Sequence, residues 1–290
     1  MNGGFIFTLY SLFGFIFGNI GLNISRIFHI LKLRSNILFL YALYKFIKEF
    51  IKEKDQTFTS ISVLFMGSIA QLLPYLQLLT GSIITNLTPI PKDIFPITMG
   101  LYTPHFTVAT ALLLLSFICV KKYNENKIKY SIYNGIILLL ISTIHPQVAV
   151  FIGLVQGIYI LTEIKTRSYK IKDLLPISLW GLIPLPYLIY MLWLTKNNVQ
   201  VSTWISNNVH PASTISIITY FIPAVCILIY LILKNKNIIK ENKLIFFWGL
   251  LNFIYIFIPG RYQVKLTEGL SIPIIIFISI LIQNSNKKIL

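Results

Sequence analysis

Apolar runs alternate with basic segments along this chain, and the alternation constrains what it can fold into more than any other feature. Chosen by hydrophobicity alone, the runs cover residues 4–22, 58–80, 104–120, 131–144, 147–161, 174–194, 214–233, 244–258 and 270–283. If each run crosses a membrane, the segments 26–54, 121–129, 165–172, 234–243 and 287–288 fall on one face and hold 21 of the 25 Lys and Arg residues. Only Lys92, Lys196, Arg261 and Lys265 fall on the other. Short loops that carry Lys and Arg translocate poorly, so the basic face is the cytoplasmic one. The pattern predicts an all-α, polytopic helical bundle of about nine spans, with the N-terminus outside and the C-terminus inside.

Composition supports that class. Hydrophobic residues reach 56% and charged residues 12%, too apolar for an ordinary soluble domain of 290 residues. A bilayer core takes roughly 20 apolar residues per helix, and several runs reach that length. Backbone groups find no water in lipid, and the alternation expected of barrel strands is missing, so helices are the expected answer. The net charge of +16 is read as cytoplasmic anchoring and attraction to anionic lipid heads, with no nucleic-acid partner. Cys119 and Cys226 both sit in apolar runs, which excludes a disulfide framework or a CxxC site. No signal-peptide pattern opens the chain.

The chain reads as a single membrane domain over residues 1–290, without a soluble insertion. Residues 25–55 admit two readings. Tyr41, Tyr44, Phe46 and Ile47 alternate with Lys45, Lys48 and Lys52 at helical spacing, which suits a helix lying in the interface plane. A tilted tenth span is the rival, because Lys and Arg near helix ends can snorkel. Residues 131–161 are flanked by lysines, so they cross twice or not at all, and His145-Pro146 breaks them. Each arm has about 15 residues, or roughly 22 Å of helix, short of the roughly 30 Å core. The tip of this hairpin is therefore expected below the membrane surface. Gly14 and Gly18 form a GxxxG pair, read as a packing contact within the bundle, with a dimer face as the other use. No internal repeat is visible.

Chemistry-bearing residues gather on the outer face. His105, His145 and His210 each touch a proline, and the same face holds Asp93, Glu268, Arg261, Lys265 and Trp204. Polar residues collected at one end of an apolar bundle suggest a pocket there, although each histidine alone is as easily a helix-end hydrogen bond. Three histidines and a carboxylate could hold a divalent metal, but no two share a compact ligand spacing, so no metal site or other cofactor is assigned. Walker, Rossmann, H-E-x-x-H and G-x-S-x-G patterns are missing, which disfavours nucleotide motors and common hydrolases. Lys265 and Glu268 are three apart and could pair at a helix end. Alternatively, Arg261 and Lys265 form a cationic seat for a lipid phosphate at headgroup level.

Several short stretches occur in an informative order: Arg26 and His29 before Tyr41-Ala-Leu-Tyr-Lys45-Phe, then Tyr102-Thr-Pro-His105-Phe, Ile144-His-Pro146, and Gln263-Val-Lys265 with Glu268-Gly269-Leu-Ser-Ile-Pro273. In this order the chain resembles a group of uncharacterised prokaryotic multi-pass proteins that look like the GT-C superfamily of glycosyltransferases. The resemblance spans nearly the whole chain and implies a polytopic helical fold, a polyprenyl-phosphate sugar as donor and transfer outside the cytoplasm. It points to His105, His145, Lys265 and Glu268. The chain departs from the family in two places. Gln263-Val264-Lys265 stands where the related pattern tends to read Gln-Arg-Arg, which loses one cation. The acidic motif expected in a first outer loop is missing, because no carboxylate precedes Glu49. That implies an N-terminally shortened member, a misassigned start, or catalysis that is absent or supplied by a partner subunit.

These observations lead to an expected multi-pass protein of the cell membrane engaged in extracytoplasmic glycosyl transfer. Asp93 or Glu268 would be the general base. Arg261 and Lys265 would neutralise the donor phosphate, while His105 and His145 position oxygens. A non-enzymatic transport or assembly subunit with a lipid pocket is the alternative. Ion pumping is weaker, since no carboxylate lies mid-span.

Overall fold

A computed structural model describes residues 8–65, 96, 99–100, 104–166, 169–207, 221, 224–230, 232–233, 237–258 and 269–285. Among them all regular structure is helical, with no strand. Contacts gather the chain into two compact units, Met1–Phe46 with Thr103–His210, and Ile47–Tyr102 with Pro211–Leu290.

In the first unit, α1 (Thr8–Gly18) is followed by a turn in which Gly21 takes a left-handed φ of 81°, and then by α2 (Ile24–Phe50). Asn23 starts α2 by accepting the Arg26 N–H through its side chain at 2.9 Å. The helix runs unbroken for 27 residues, its last four belonging to the second unit. Ile27, Leu31, Ser35, Phe39, Leu43, Phe46 and Ile47 are buried along one face, at the three-and-four spacing of an amphipathic helix. The lysine-bearing stretch from Tyr41 is thus the end of a long helix rather than an element of its own.

The core of this unit is α4 (Pro104–Lys121), which packs on α5 (Lys127–Ile144) and α6 (Pro146–Lys165). It is apolar on every side and buried along most of its length, as an all-round hydrophobic helix must be. Its neighbours keep an exposed face. Asn126 starts α5 by accepting the Lys129 N–H at 3.0 Å. Beyond a 3-10 turn (Ile171–Asp173) come α7 (Leu174–Leu182) and α8 (Leu185–Asn197). Pro184 and Pro186 remove two backbone donors between them, yet Ile183 and Pro184 stay right-handed, so the pair continues as one bent helix. Then α9 (Val199–Asn207) follows.

Gly135 allows α5 to approach α7 closely: a Cβ there would lie 2.7 Å from the Leu179 carbonyl oxygen. The GxxxG pair behaves otherwise. Among the described residues, a Cβ at Gly14 or Gly18 would meet no atom within 4 Å, so no close helix approach to that pair is seen there.

The second unit contains α3 (Glu53–Phe65), α10 (Asn237–Glu241), α11 (Lys243–Phe257) and α12 (Ser271–Ser285). Both α3 and α11 pack on α12. Gln283 accepts the Lys52 N–H at 3.5 Å, which ties the end of α12 to the start of α3. Gly249 of α11 faces the Pro273 ring, and Phe246 sets its ring 5.9 Å from Phe277.

Among the described residues, four helical stretches are long and apolar enough to cross a membrane: α4, α5, α6 and the bent α7–α8. The apolar helices α11 and α12 are shorter, each of 15 residues. The runs 58–80 and 214–233 lie largely outside the described residues.

Candidate functional site

The hairpin of α5 and α6 turns on one residue. His145 has φ −150° and ψ 77°, outside helical geometry, as a residue before proline is driven to be. Its N–H donates to the Ile141 carbonyl at 2.6 Å, ending α5, and its own carbonyl accepts the Val148 N–H at 3.0 Å, opening α6. Pro146 occupies the first turn of α6, where a missing N–H costs nothing. The arms fold back on each other, because Asn134 and Gln156, each eleven residues from His145, hydrogen-bond at 2.9 Å. At 18 and 20 residues they are longer than expected, since the lysine-bearing outer turns are helical too. They measure about 27 and 30 Å at the helical rise.

His145 meets His105 at the hairpin tip. The imidazoles are nearly parallel, 12° apart, with ring centroids separated by 6.5 Å. Phe106 packs on both, 4.2 Å from the His105 ring and 4.9 Å from that of His145. The His145 side chain is buried and that of His105 half-buried. Each histidine stands at the start of a long helix, α4 or α6, where backbone N–H groups leave partial positive charge. Imidazoles there can donate hydrogen bonds to an anion or ligate a metal. Among the described residues, no group of three or more His, Cys, Asp or Glu side chains is disposed to hold a metal ion.

The lysine segments meet at the opposite end of this unit. Asp173 accepts from the Lys127 ammonium at 2.6 Å and from the Lys170 N–H at 2.9 Å, while the Tyr123 hydroxyl donates to the Asp173 carbonyl at 2.8 Å. Tyr123 also packs edge-on against Tyr169 and Trp180. The α4–α5 and α6–α7 connections are thereby fastened together. The hydrogen bond from Lys127, then that from Lys170, holds the Asp173 carboxyl below its ordinary range. Burial, followed by the Asp173 charge, pushes the Tyr123 phenol up to about 12.

Between the two ends lies a polar ring that a search for titratable residues misses. The Ser116 hydroxyl donates to Asn134 Oδ1 at 2.6 Å, Asn134 Nδ2 to Gln156 Oε1 at 2.9 Å, and Gln156 Nε2 back to the Ser116 oxygen at 2.6 Å. All three side chains are buried, one each on α4, α5 and α6. Uncharged amides inside otherwise apolar runs were the available signal.

Of the residues singled out from sequence, the fold thus brings His105 and His145 together. Trp204 lies on the backbone of α9. Asp93, His210, Arg261, Lys265 and Glu268 lie outside the described residues. No protein-family model, no curated protein and no solved structure matches this chain.

Proposed function

We propose that the protein is a multi-pass cell-membrane protein that takes sugar from a polyprenyl-phosphate donor and transfers it outside the cytoplasm, in the manner of the GT-C enzymes it resembles. The observation that carries this reading is the meeting of His105 and His145 at the starts of two long helices, away from the lysine end. The proposed arrangement has about nine crossings and one interfacial segment, with the N-terminus out and the lysine end in the cytoplasm.

In this reading the two imidazoles donate to phosphate oxygens, helped by the helix N-termini. Arg261 and Lys265 offset the charge of the leaving phosphate. Trp204 and His210 serve the substrate side. An acceptor oxygen attacks the anomeric carbon, the bond from that carbon to the phosphate oxygen breaks, and the acceptor proton passes to Asp93 or Glu268. Exchange of labelled polyprenyl-phosphate sugar in proteoliposomes tests the binding step. The H105A/H145A double variant should lose at least about tenfold in affinity, since hydrogen bonds to charged groups contribute roughly 1.5–3 kcal/mol. R261A/K265A should lose about 1 kcal/mol per cation. Unchanged retention of the donor by both folded variants would overturn the proposal.

One observation favours a second reading. The described spans α4 to α8 carry a single carboxylate, Glu163, near the lysine end of α6. A non-enzymatic transport or assembly subunit would need none, whereas an enzyme would draw its acid from Asp93, Glu268 or a partner subunit's loop. Binding of donor lipid without release of sugar, even with acceptor present, would select the subunit.

A further inference from the structure

The exposed face of α5 pairs a basic head with an apolar stripe. Lys129, Tyr133, Ile136 and Leu140 recur at the four-three-four spacing of one helix face, with Ile132 beside them. Tyr133, Ile136 and Leu140 are close to half exposed, while Ser131, Asn134, Leu138 and Ile141 on the opposite face are buried. The Lys129 ammonium sits 5.7 Å from the Tyr130 ring centroid and 5.8 Å from that of Tyr133, held at the level of both phenols.

The surroundings determine what this head attracts. The same end of the unit gathers Lys121, Lys122, Lys127, Lys129, Lys165, Lys170 and Lys172 against three carboxylates, Glu125, Glu163 and Asp173. Asp173 is already engaged by Lys127 and by the Lys170 N–H, and Glu125 accepts from the Tyr130 hydroxyl at 3.2 Å. The surplus is positive, and it lies where a bilayer presents its headgroups if α5 crosses one. From Lys129 to Leu140 the helix rises about 16 Å, close to half of the roughly 30 Å hydrocarbon core. One leaflet's acyl chain fits that length.

We infer that the face of α5 from Lys129 to Leu140 seats one anionic phospholipid of the leaflet at the lysine end. The lipid phosphate would lie at Lys129 on the Tyr133 side, away from Glu125 and the Tyr130 hydroxyl that it holds, and the acyl chain along Ile132, Ile136 and Leu140. A zwitterionic lipid covers the stripe equally well but gains little from the surplus charge, so selectivity arises at the head. The inference rests on α5 crossing a bilayer and is independent of glycosyl transfer.

Native mass spectrometry of the full chain, released from micelles holding equal phosphatidylglycerol and phosphatidylcholine, reads the selectivity directly. The wild type should keep phosphatidylglycerol in clear excess. Lys129→Gln, which preserves the backbone cap on Asn126, should lower that excess about fivefold, as expected for one cation near an anionic surface. Lys196→Gln, at the far end of α8, should leave it unchanged. Free glycerol 3-phosphate at millimolar concentration should not displace the lipid. Equal retention of the two lipids by the wild type, an unaltered ratio in Lys129→Gln, or displacement by glycerol 3-phosphate would each overturn the inference, the last by assigning a soluble phosphate site. None of these results bears on donor binding at the His105 end, so the two proposals fail separately.

Discussion

Ser116, Asn134 and Gln156 illustrate how far a residue's neighbours decide its meaning. Alone in apolar helices each would be costly, because a bilayer offers no partner for an amide. Closed into a ring, each donates once and accepts once, and the ring fixes the register of three helices. Interhelical hydrogen bonds in membranes contribute about 0.6 kcal/mol on average and up to roughly 1.7. Gln156→Leu breaks two of them, so we expect a loss of about 1–2 kcal/mol, read by reversible unfolding in mixed micelles; a variant as stable as wild type would show that the ring adds nothing. Gly135 is the steric counterpart. Gly135→Val would drive a side chain into the Leu179 carbonyl, and overpacking of this kind costs roughly 1–3 kcal/mol in the same assay. Neither residue is marked in the sequence, because an uncharged amide carries no titratable signal and a glycine's neighbours are set by tertiary contact. His105 and His145 did stand out, because each abuts a proline and proline marks helix ends.

Helix boundaries were legible where breakers act and illegible where charge misleads. The His145-Pro146 break was readable from local sterics alone. The arms of the hairpin exceed their apolar runs because lysines interrupt hydropathy without ending a helix, and backbone hydrogen bonding continues through Lys127 and up to Lys165. The continuity of α2 was hidden for the same reason, since Arg34 and Lys45 interrupt its hydropathy but not its helix. What fastens these elements at their basic ends is Asp173. Its folded carboxyl is held below the unfolded value, so its contribution is present above the ordinary carboxylate range near 4 and is lost as pH falls through the folded value. Asp173→Asn should therefore lower the unfolding midpoint at neutral pH and flatten the acid limb of its pH profile. Tyr123 acts at the other extreme. Its folded value is raised, so its contribution is full below about 10 and is lost as pH rises through about 12. Tyr123→Phe should remove that alkaline loss.

For the molecule as a whole, the sequence separated two ends of a bundle, and in the first unit the contacts of Asp173 and of His145 fall at opposite ends of α5 and α6. That much was readable because spans and lysines alternate. The number of crossings was less legible, because an apolar run such as 244–258 yields a helix of only 15 residues, and a span takes length as well as hydrophobicity. The direction of insertion is a matter of charge, and it can be tested. Single cysteines replacing Glu125 and Arg261 should be labelled by an impermeant maleimide from opposite sides of sealed cells, Arg261→Cys from outside. Labelling of both from one side would refute the alternation on which the outward site depends.

The closed ring has a consequence for how the protein is made. Ser116 leaves the ribosome 40 residues before Gln156, its last partner. A nascent chain that holds α4 and α5 but lacks α6 carries Asn134 with one of its two ring bonds unmade, in a surrounding without water. The three helices therefore gain by leaving the insertion channel together rather than one by one. Chains stalled once His145 has cleared the ribosome should stay beside the channel, accessible to photocrosslinkers, until Gln156 has also emerged and the set moves into lipid as a single body.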